Sequence, residues 1–120
     1  MFTDVKRNRV LHLFNRNTVS GPEALVIPNL VLAKEYQHYV VNLFERRIEQ
    51  DPLKCFDSYS LAKEFHLWAE RIAVNSRLDQ SAVRQLARVV EKNEINIIHC
   101  HDIKPTLYGL KSRKLEVPSG

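Results

Sequence analysis

The chain has 120 residues, of which 44% are hydrophobic and 27% charged, a balance typical of a single soluble globular domain and not of a disordered segment. It contains no uncharged apolar run long enough to span a membrane and no signal-peptide pattern, and its two cysteines lack CxxC spacing, so we predict a cytoplasmic protein. The net charge of +4 comes from scattered lysines and arginines. That distribution argues against nucleic acid as a partner and leaves anionic ligands or peripheral contact with a membrane surface open.

The first third of the chain alternates strand and helix patterns. An apolar run at residues 10–14 predicts a buried strand that enters a polar loop. Ser20 is a candidate N-cap for the next helix, with Pro22 near its first position, and Pro28 predicts either a kink or a late start. The apolar residues expected to face inward are Leu25, Val26, Leu30, Val31 and Ala33. Residues 38–44 are rich in β-branched and aromatic side chains and predict a second strand.

The middle of the chain is predicted to hold a loop, a helix and a short strand. Residues 45–52 are charged and read as a loop. An amphipathic helix is predicted from Ser58 to about Glu70. The side chains on its apolar face are Leu61, Phe65 and Trp68. Residues 71–74 are expected to form a third strand.

The last third has the clearest helix pattern. Asp79 is a candidate cap of a helix that extends to about Glu94. Its apolar stripe consists of Val83, Leu86, Ala87 and Val90. Residues 96–101 predict a fourth buried strand, and Pro105 is expected to open a final helix. The inward candidates of that helix are Leu107, Tyr108 and Leu110.

This alternation predicts an α/β fold: an open parallel sheet with helices on both faces and strand order 3-2-1-4, in one domain over residues 1–120. In such a sheet the connections change direction between strands 1 and 4, and ligands bind at the carboxyl ends of the strands beside that switch point. Residues 15–21 and 99–104 follow these two strands. We therefore expect them to meet in a ligand crevice, and an exposed sheet edge to favour self-association.

Gly21 is the single glycine of the first loop, which excludes both the G-x-G-x-x-G fingerprint and a P-loop. A glycine here lets a phosphate approach the free N–H groups at a helix N-terminus. The alternative is that Gly21 only makes the turn.

His99 and His101 are two residues apart on a predicted strand, so their side chains project from the same face. We expect His101, nearer the crevice, to contact ligand, as a hydrogen-bond partner of a sugar hydroxyl or as a proton carrier near neutral pH. His99 is expected to be a packing residue deeper in the sheet. Cys100 points to the opposite face and is predicted to pack in the core. Lys104 is either a phosphate or carboxylate contact or a solvated lysine.

The segment His99, His101 and Asp102 also allows a zinc or manganese site, as in a metal-dependent hydrolase. Such a site needs further ligands from other strand ends. The remaining histidines are His12, His38 and His66. Because all three fall within or before predicted elements, we predict no metal site. A second alternative is a non-catalytic, flavodoxin-like interaction module in which the histidines are structural.

Taken together and in this order, several segments resemble glycosyltransferase family 4. The matching residues are 9–13, 20–23, 29–30, 77–79, 86–88, 96–102, Lys104 and 108–110, so the similarity extends from about residue 8 to residue 115. The family consists of retaining nucleotide-sugar enzymes with two facing Rossmann-like domains. The chain departs from the pattern at Ser20, where a second glycine is more frequent, and at Pro28.

The resemblance implies that the chain is the N-terminal, acceptor-side domain, in truncated form. It implies a UDP-, GDP- or ADP-sugar as co-substrate, no other cofactor, and a glycan, lipid or small acceptor. His101 would be the catalytic contact beside the reacting sugar. The remaining substrate-binding residues would be Ser20, Gly21, His99, Asp102 and Lys104. Without the family's C-terminal domain, the fragment is expected to be inactive by itself.

Overall fold

The computed structural model describes residues 8–19, 21–75, 79–101 and 108–111. Its four strands are β1 (Asn8–Phe14), β2 (Tyr36–Glu45), β3 (Trp68–Val74) and β4 (Ile97–Cys100). They form one all-parallel sheet in the order β3-β2-β1-β4. Its helices are α1 (Gly21–Leu30), α2 (Ser58–Glu64) and α3 (Gln80–Lys92), with a short 3-10 turn at Pro52–Lys54. The predicted fold class and strand order are confirmed, and the topology is Rossmann-like.

Apolar side chains at alternate strand positions fill one layer on each face of the sheet. The layer under α3 contains Leu11, Leu13, Val41, Leu43, Ile72 and Val74 from the strands and Val83, Leu86 and Val90 from the helix. The opposite layer contains Phe14 and Val40 with Ile27 and Leu30 of α1 and Ala62 of α2. Each of the larger buried side chains contributes about 1.5–3 kcal/mol through removal from water. The second layer is the face on which the histidines lie.

The N-terminus of α3 is capped as the sequence predicts. The Asp79 carboxylate accepts hydrogen bonds from the backbone N–H groups of Ser81 at 2.9 Å and Ala82 at 3.3 Å. The Asp79 N–H donates to the hydroxyl of Tyr108 at 2.7 Å. Tyr108 is fully buried, as expected, and fixes the helical residues 108–111 against the α3 layer.

The buried face of α1 differs from the prediction. Glu23, Ile27 and Leu30 are buried, whereas Leu25 is 69% exposed. Since residues 24–28 are all apolar, the sequence pattern does not identify which face of the helix is covered. The helix begins at Gly21 rather than after Pro28, and it ends two residues beyond this proline. Among the other inward candidates, Val31 lies beyond the helix and is exposed, while Ala33 is half-buried.

The helix predicted from Ser58 to Glu70 ends at Glu64, so the prediction for its last turns is wrong. His66 has a left-handed backbone conformation with φ of 59°, which a continuing helix cannot contain. Trp68 then begins β3, where it pairs with Tyr39 of β2 and packs edge-on against its ring at 5.5 Å. Residues 68–70 therefore belong to β3 and not to the predicted helix. Phe65, expected on the apolar face of that helix, is 38% exposed.

Pro105 and Leu107 of the predicted last helix lie outside the described residues, and Leu110 is 57% exposed rather than inward-facing. Within the described ranges, none of the helices has the length and apolar character needed to cross a bilayer.

Candidate functional site

The parallel register joins the carboxyl ends of β1 and β4. His12 of β1 stands directly across from His99 of β4. One pair further along, the backbone N–H of His101 donates to the Leu13 carbonyl at 3.1 Å. The His101 ring stacks on Phe14, with ring centroids 4.2 Å apart. The two strand ends that the sequence assigns to a ligand crevice thus lie side by side.

Three imidazole rings form a compact cluster on the α1 side of this edge. The alternation of β4, continued to His101 one residue beyond its end, places His99 and His101 on one face, and the register places His12 beside them. The ring centroids of His12 lie 5.6 Å from those of His99 and 5.8 Å from those of His101. One nitrogen from each ring lies within 4.8 Å of the other two. We call His12, His99 and His101 the histidine cluster.

A chain of hydrogen bonds fixes the tautomer of the innermost ring. The Ala33 carbonyl accepts from His38 Nε2 at 2.9 Å, so Nδ1 of a neutral His38 is an acceptor. His12 Nε2 lies 3.0 Å from that nitrogen and must donate to it. His12 Nδ1 therefore carries a lone pair, and it is buried with no hydrogen-bond partner among the described residues. Nε2 of His101 is also buried, and the described part of the chain offers it no partner either.

Burial keeps the inner rings of the cluster uncharged. It is the main reason that the pKa of His12 falls to about 3, and the neighbouring rings of His38, His101 and His99 lower it further. Burial and His99 lower the pKa of His101 to about 4, against an opposing effect of the Glu23 carboxylate. Both rings are neutral at pH 7, so they act as hydrogen-bond partners or as metal ligands and not as cations.

The loop after β1 is held in place by side-chain hydrogen bonds. The buried Asn17 donates to the Glu45 carbonyl and accepts from the Glu45 N–H, both at 3.0 Å. Asn42 of β2 donates to the Arg16 carbonyl at 2.9 Å, and the Val19 N–H donates to the Phe56 carbonyl at 3.1 Å. These hydrogen bonds hold the loop after β1 in place as far as residue 19.

Gly21 is the first residue of α1 and is exposed. A β-carbon added here would meet no other atom within 4 Å, and none of the described glycines has a positive φ. Neither backbone conformation nor packing within the described residues requires a glycine at this position.

The structure agrees with some of the remaining predictions for site residues and not with others. His101 is half-buried at the strand end, as expected, but His99 is exposed, so its prediction as a packing residue is wrong. The reason is that β4 lies at the edge of the described sheet, where its side chain is not covered. Cys100 lies on the opposite face against the α3 layer, as predicted. Ser20, Asp102 and Lys104 lie outside the described residues.

Sequence reasoning excluded His12 because it lies inside a strand and not in a loop. The signal that identifies it is the register: with β1 beside β4, a histidine in the middle of β1 faces the same side as alternate residues of β4. His38, also excluded, is the hydrogen-bond acceptor that orients His12.

None of the family models, curated proteins or solved structures compared with the chain matches it. The topology and side chains of this chain define a Rossmann-like α/β domain with a polar, histidine-lined edge at the switch point of its sheet.

Proposed function

We propose that the chain is the acceptor-side domain of a retaining glycosyltransferase that uses a nucleotide-sugar donor, as its resemblance to glycosyltransferase family 4 implies. The observation that supports this most is the placement of His101. It lies half-buried at the carboxyl end of β4, against Phe14 at the carboxyl end of β1 and next to the first turn of α1. This is the position at which doubly wound sheets bind their ligands.

In this proposal His101 is the residue that touches the reacting sugar. Its low pKa makes the ring neutral at pH 7, so the role as a hydrogen-bond partner of a sugar hydroxyl is favoured over proton transfer. The stack on Phe14 and the hydrogen bond of its backbone to Leu13 fix the ring, which lowers the entropic cost of an oriented contact.

Gly21 is assigned to the donor side. The dipole at the N-terminus of α1 favours a pyrophosphate, and the open space at Gly21 lets it approach the backbone. Glu23 of the same turn is buried, and its carboxylate raises the pKa of His101 against the effect of burial, so we assign it an electrostatic role and not acid catalysis. The donor is a co-substrate, and the proposed reaction requires no further cofactor.

The test is a transfer assay on the complete gene product that contains this chain. It would be supplied in turn with UDP-, GDP- and ADP-activated sugars and with glycan, lipid and small acceptors. We expect release of one nucleoside diphosphate coupled to a product of retained anomeric configuration. Release of free sugar at the same rate with and without acceptor would favour the hydrolase, and no turnover of any donor would favour the interaction module.

A further inference from the structure

We propose that His12, His99 and His101 form a binding site for a divalent transition metal ion, with Zn²⁺ as the ion that the three imidazoles fit best. The proposal shares His101 with the proposed transfer site, but it does not depend on glycosyl transfer.

The geometry of the histidine cluster is the first support. One nitrogen from each ring lies within 4.8 Å of the other two. Three nitrogens on a tetrahedral zinc at 2.0–2.1 Å are about 3.3 Å apart, so the rings must close by about 1.5 Å or less. His99 is exposed and can rotate to provide this movement, while the other two rings are held in place. Three imidazoles leave a fourth position open for water or a substrate atom.

Two buried ring nitrogens are the second support. His12 is only 4% exposed, and the lone pair on its Nδ1 has no donor among the described residues. Nε2 of His101 is likewise buried, with no partner in the part of the chain that the structure describes. Buried polar atoms are nearly always satisfied, because burial without a partner is unfavourable. A cation bound through His12 Nδ1 and His101 Nε2 would satisfy both atoms at once.

The hydrogen bonds behind the cluster are the third support. Histidines that bind metals almost always donate their other N–H to an acceptor, which fixes both the tautomer and the direction of the lone pair. His12 has this arrangement, since its Nε2 donates to His38, and His38 in turn donates to the Ala33 carbonyl. The strand register and this relay together present an oriented, unprotonated ligand.

Among the described residues, the three ring nitrogens are the donors that come together, and Cys100 lies on the opposite face of the sheet.

The experiment uses the full chain, purified without a polyhistidine tag and stripped with a chelator. Zn²⁺ alone is titrated by calorimetry, and the bound metal is counted by elemental analysis after dialysis. We expect one Zn²⁺ per chain. Substitution with Co²⁺ should give the intense visible bands of a tetrahedral site without the near-ultraviolet thiolate band that a cysteine ligand would add.

The exposed His99 gives the most informative variant, because removing its ring leaves the core intact. We expect His99→Ala to weaken Zn²⁺ binding more than His38→Leu, for which the loss of an orienting partner predicts about a 10- to 100-fold effect. His66→Asn is the matched control: His66 is exposed, is not one of the clustered rings and has a positive φ that asparagine tolerates, so the affinity of this variant should equal that of the parent chain.

Absence of bound zinc in the parent chain would overturn the proposal. So would a His99→Ala variant that keeps the parent affinity, because the ion would then be bound elsewhere. Either result leaves glycosyl transfer unaffected, since the transfer assay tests that proposal without added metal.

Discussion

His12 lies on the covered face of β1 with three other histidine rings around it, and its surroundings determine its charge. Water stabilises the charged imidazolium, and burial removes that stabilisation, so burial favours the neutral ring. The rings of His38, His99 and His101 add repulsion whenever one of them is protonated, whereas the Glu23 carboxylate acts in the opposite direction on His101. The cluster therefore folds most readily with its inner rings neutral.

This predicts that the chain loses stability in mild acid. The pKa of His12 is about 3 in the folded chain and 6.5 in the unfolded one, so the unfolded state takes up a proton first. The contribution of His12 is fully present above pH 6.5 and is lost as the pH falls from there towards 3. Between pH 7 and pH 5 the expected loss is about 2 kcal/mol in the free energy of unfolding.

The measurement is urea unfolding at both pH values in metal-free buffer. In His12→Leu, which fills the same buried position without a titrating group, the loss should be smaller by that amount. An identical loss in the parent chain and the variant would show that His12 is not the group responsible.

Gly21 allows stability and function to be separated at one residue. Because a β-carbon there meets nothing, Gly21→Ala should change the free energy of unfolding by no more than about 0.5 kcal/mol. If the position serves close approach of a pyrophosphate, the same substitution should lower kcat/KM for transfer about tenfold. Urea unfolding and the transfer assay together decide this. Unchanged kcat/KM would return Gly21 to a role in the turn alone.

At the scale of elements, one buried ion pair joins α2 to the sheet. Asp57 is fully buried, caps α2 and accepts two hydrogen bonds from Arg71 of β3, both at 2.8 Å. Asn42 of β2 donates to the same carboxylate at 2.9 Å. The Arg71 guanidinium also lies 4.7 Å from the ring of Tyr59, and its hydrogen bond to Asp57 raises its pKa further.

Removing the cation from this pair should be costly because it leaves an unpaired charge inside the protein. We expect Arg71→Met to lower the free energy of unfolding by about 3–5 kcal/mol. Arg84→Met, which removes an exposed cation of α3, should change it by less than about 0.5 kcal/mol. Urea unfolding at pH 7 measures the free energy of unfolding of both variants. A similar loss in Arg71→Met and Arg84→Met would show that the ion pair between Arg71 and Asp57 does not stabilise the fold.

The elements differ in how well the sequence predicts them. Helix α3 has one apolar stripe and a capping aspartate, so its local pattern and its tertiary contacts agree. Helix α1 has apolar residues on more than one face, so its packing against Phe14 and Val40 determines that Ile27 is buried and Leu25 is exposed. The residues after α2 have a helical pattern as well, but pairing with β2 commits Trp68 and its neighbours to a strand. Local sequence patterns therefore give the wrong secondary structure or the wrong buried face where contacts between distant parts of the chain determine it.

For the whole molecule, the site is a product of topology. The strand order brings residues that are 87 positions apart in the sequence, His12 and His99, into register. The order, and hence the meeting of the two strand ends, follows from the alternation of strands and helices. The place of His12 in the histidine cluster does not follow from this alternation, because it depends on a register that sequence spacing alone leaves unspecified.

The role of His101 is tested by measuring kcat/KM for sugar transfer by the complete gene product, with His101→Ala compared with the parent. His66→Asn serves as the control variant, since His66 is not one of the clustered rings. We predict a loss of at least about 100-fold for His101→Ala, the size expected when a polar contact to the reacting group is removed, and no change for the control. If the His101→Ala enzyme keeps the parent's kcat/KM, His101 is not the residue that contacts the reacting sugar.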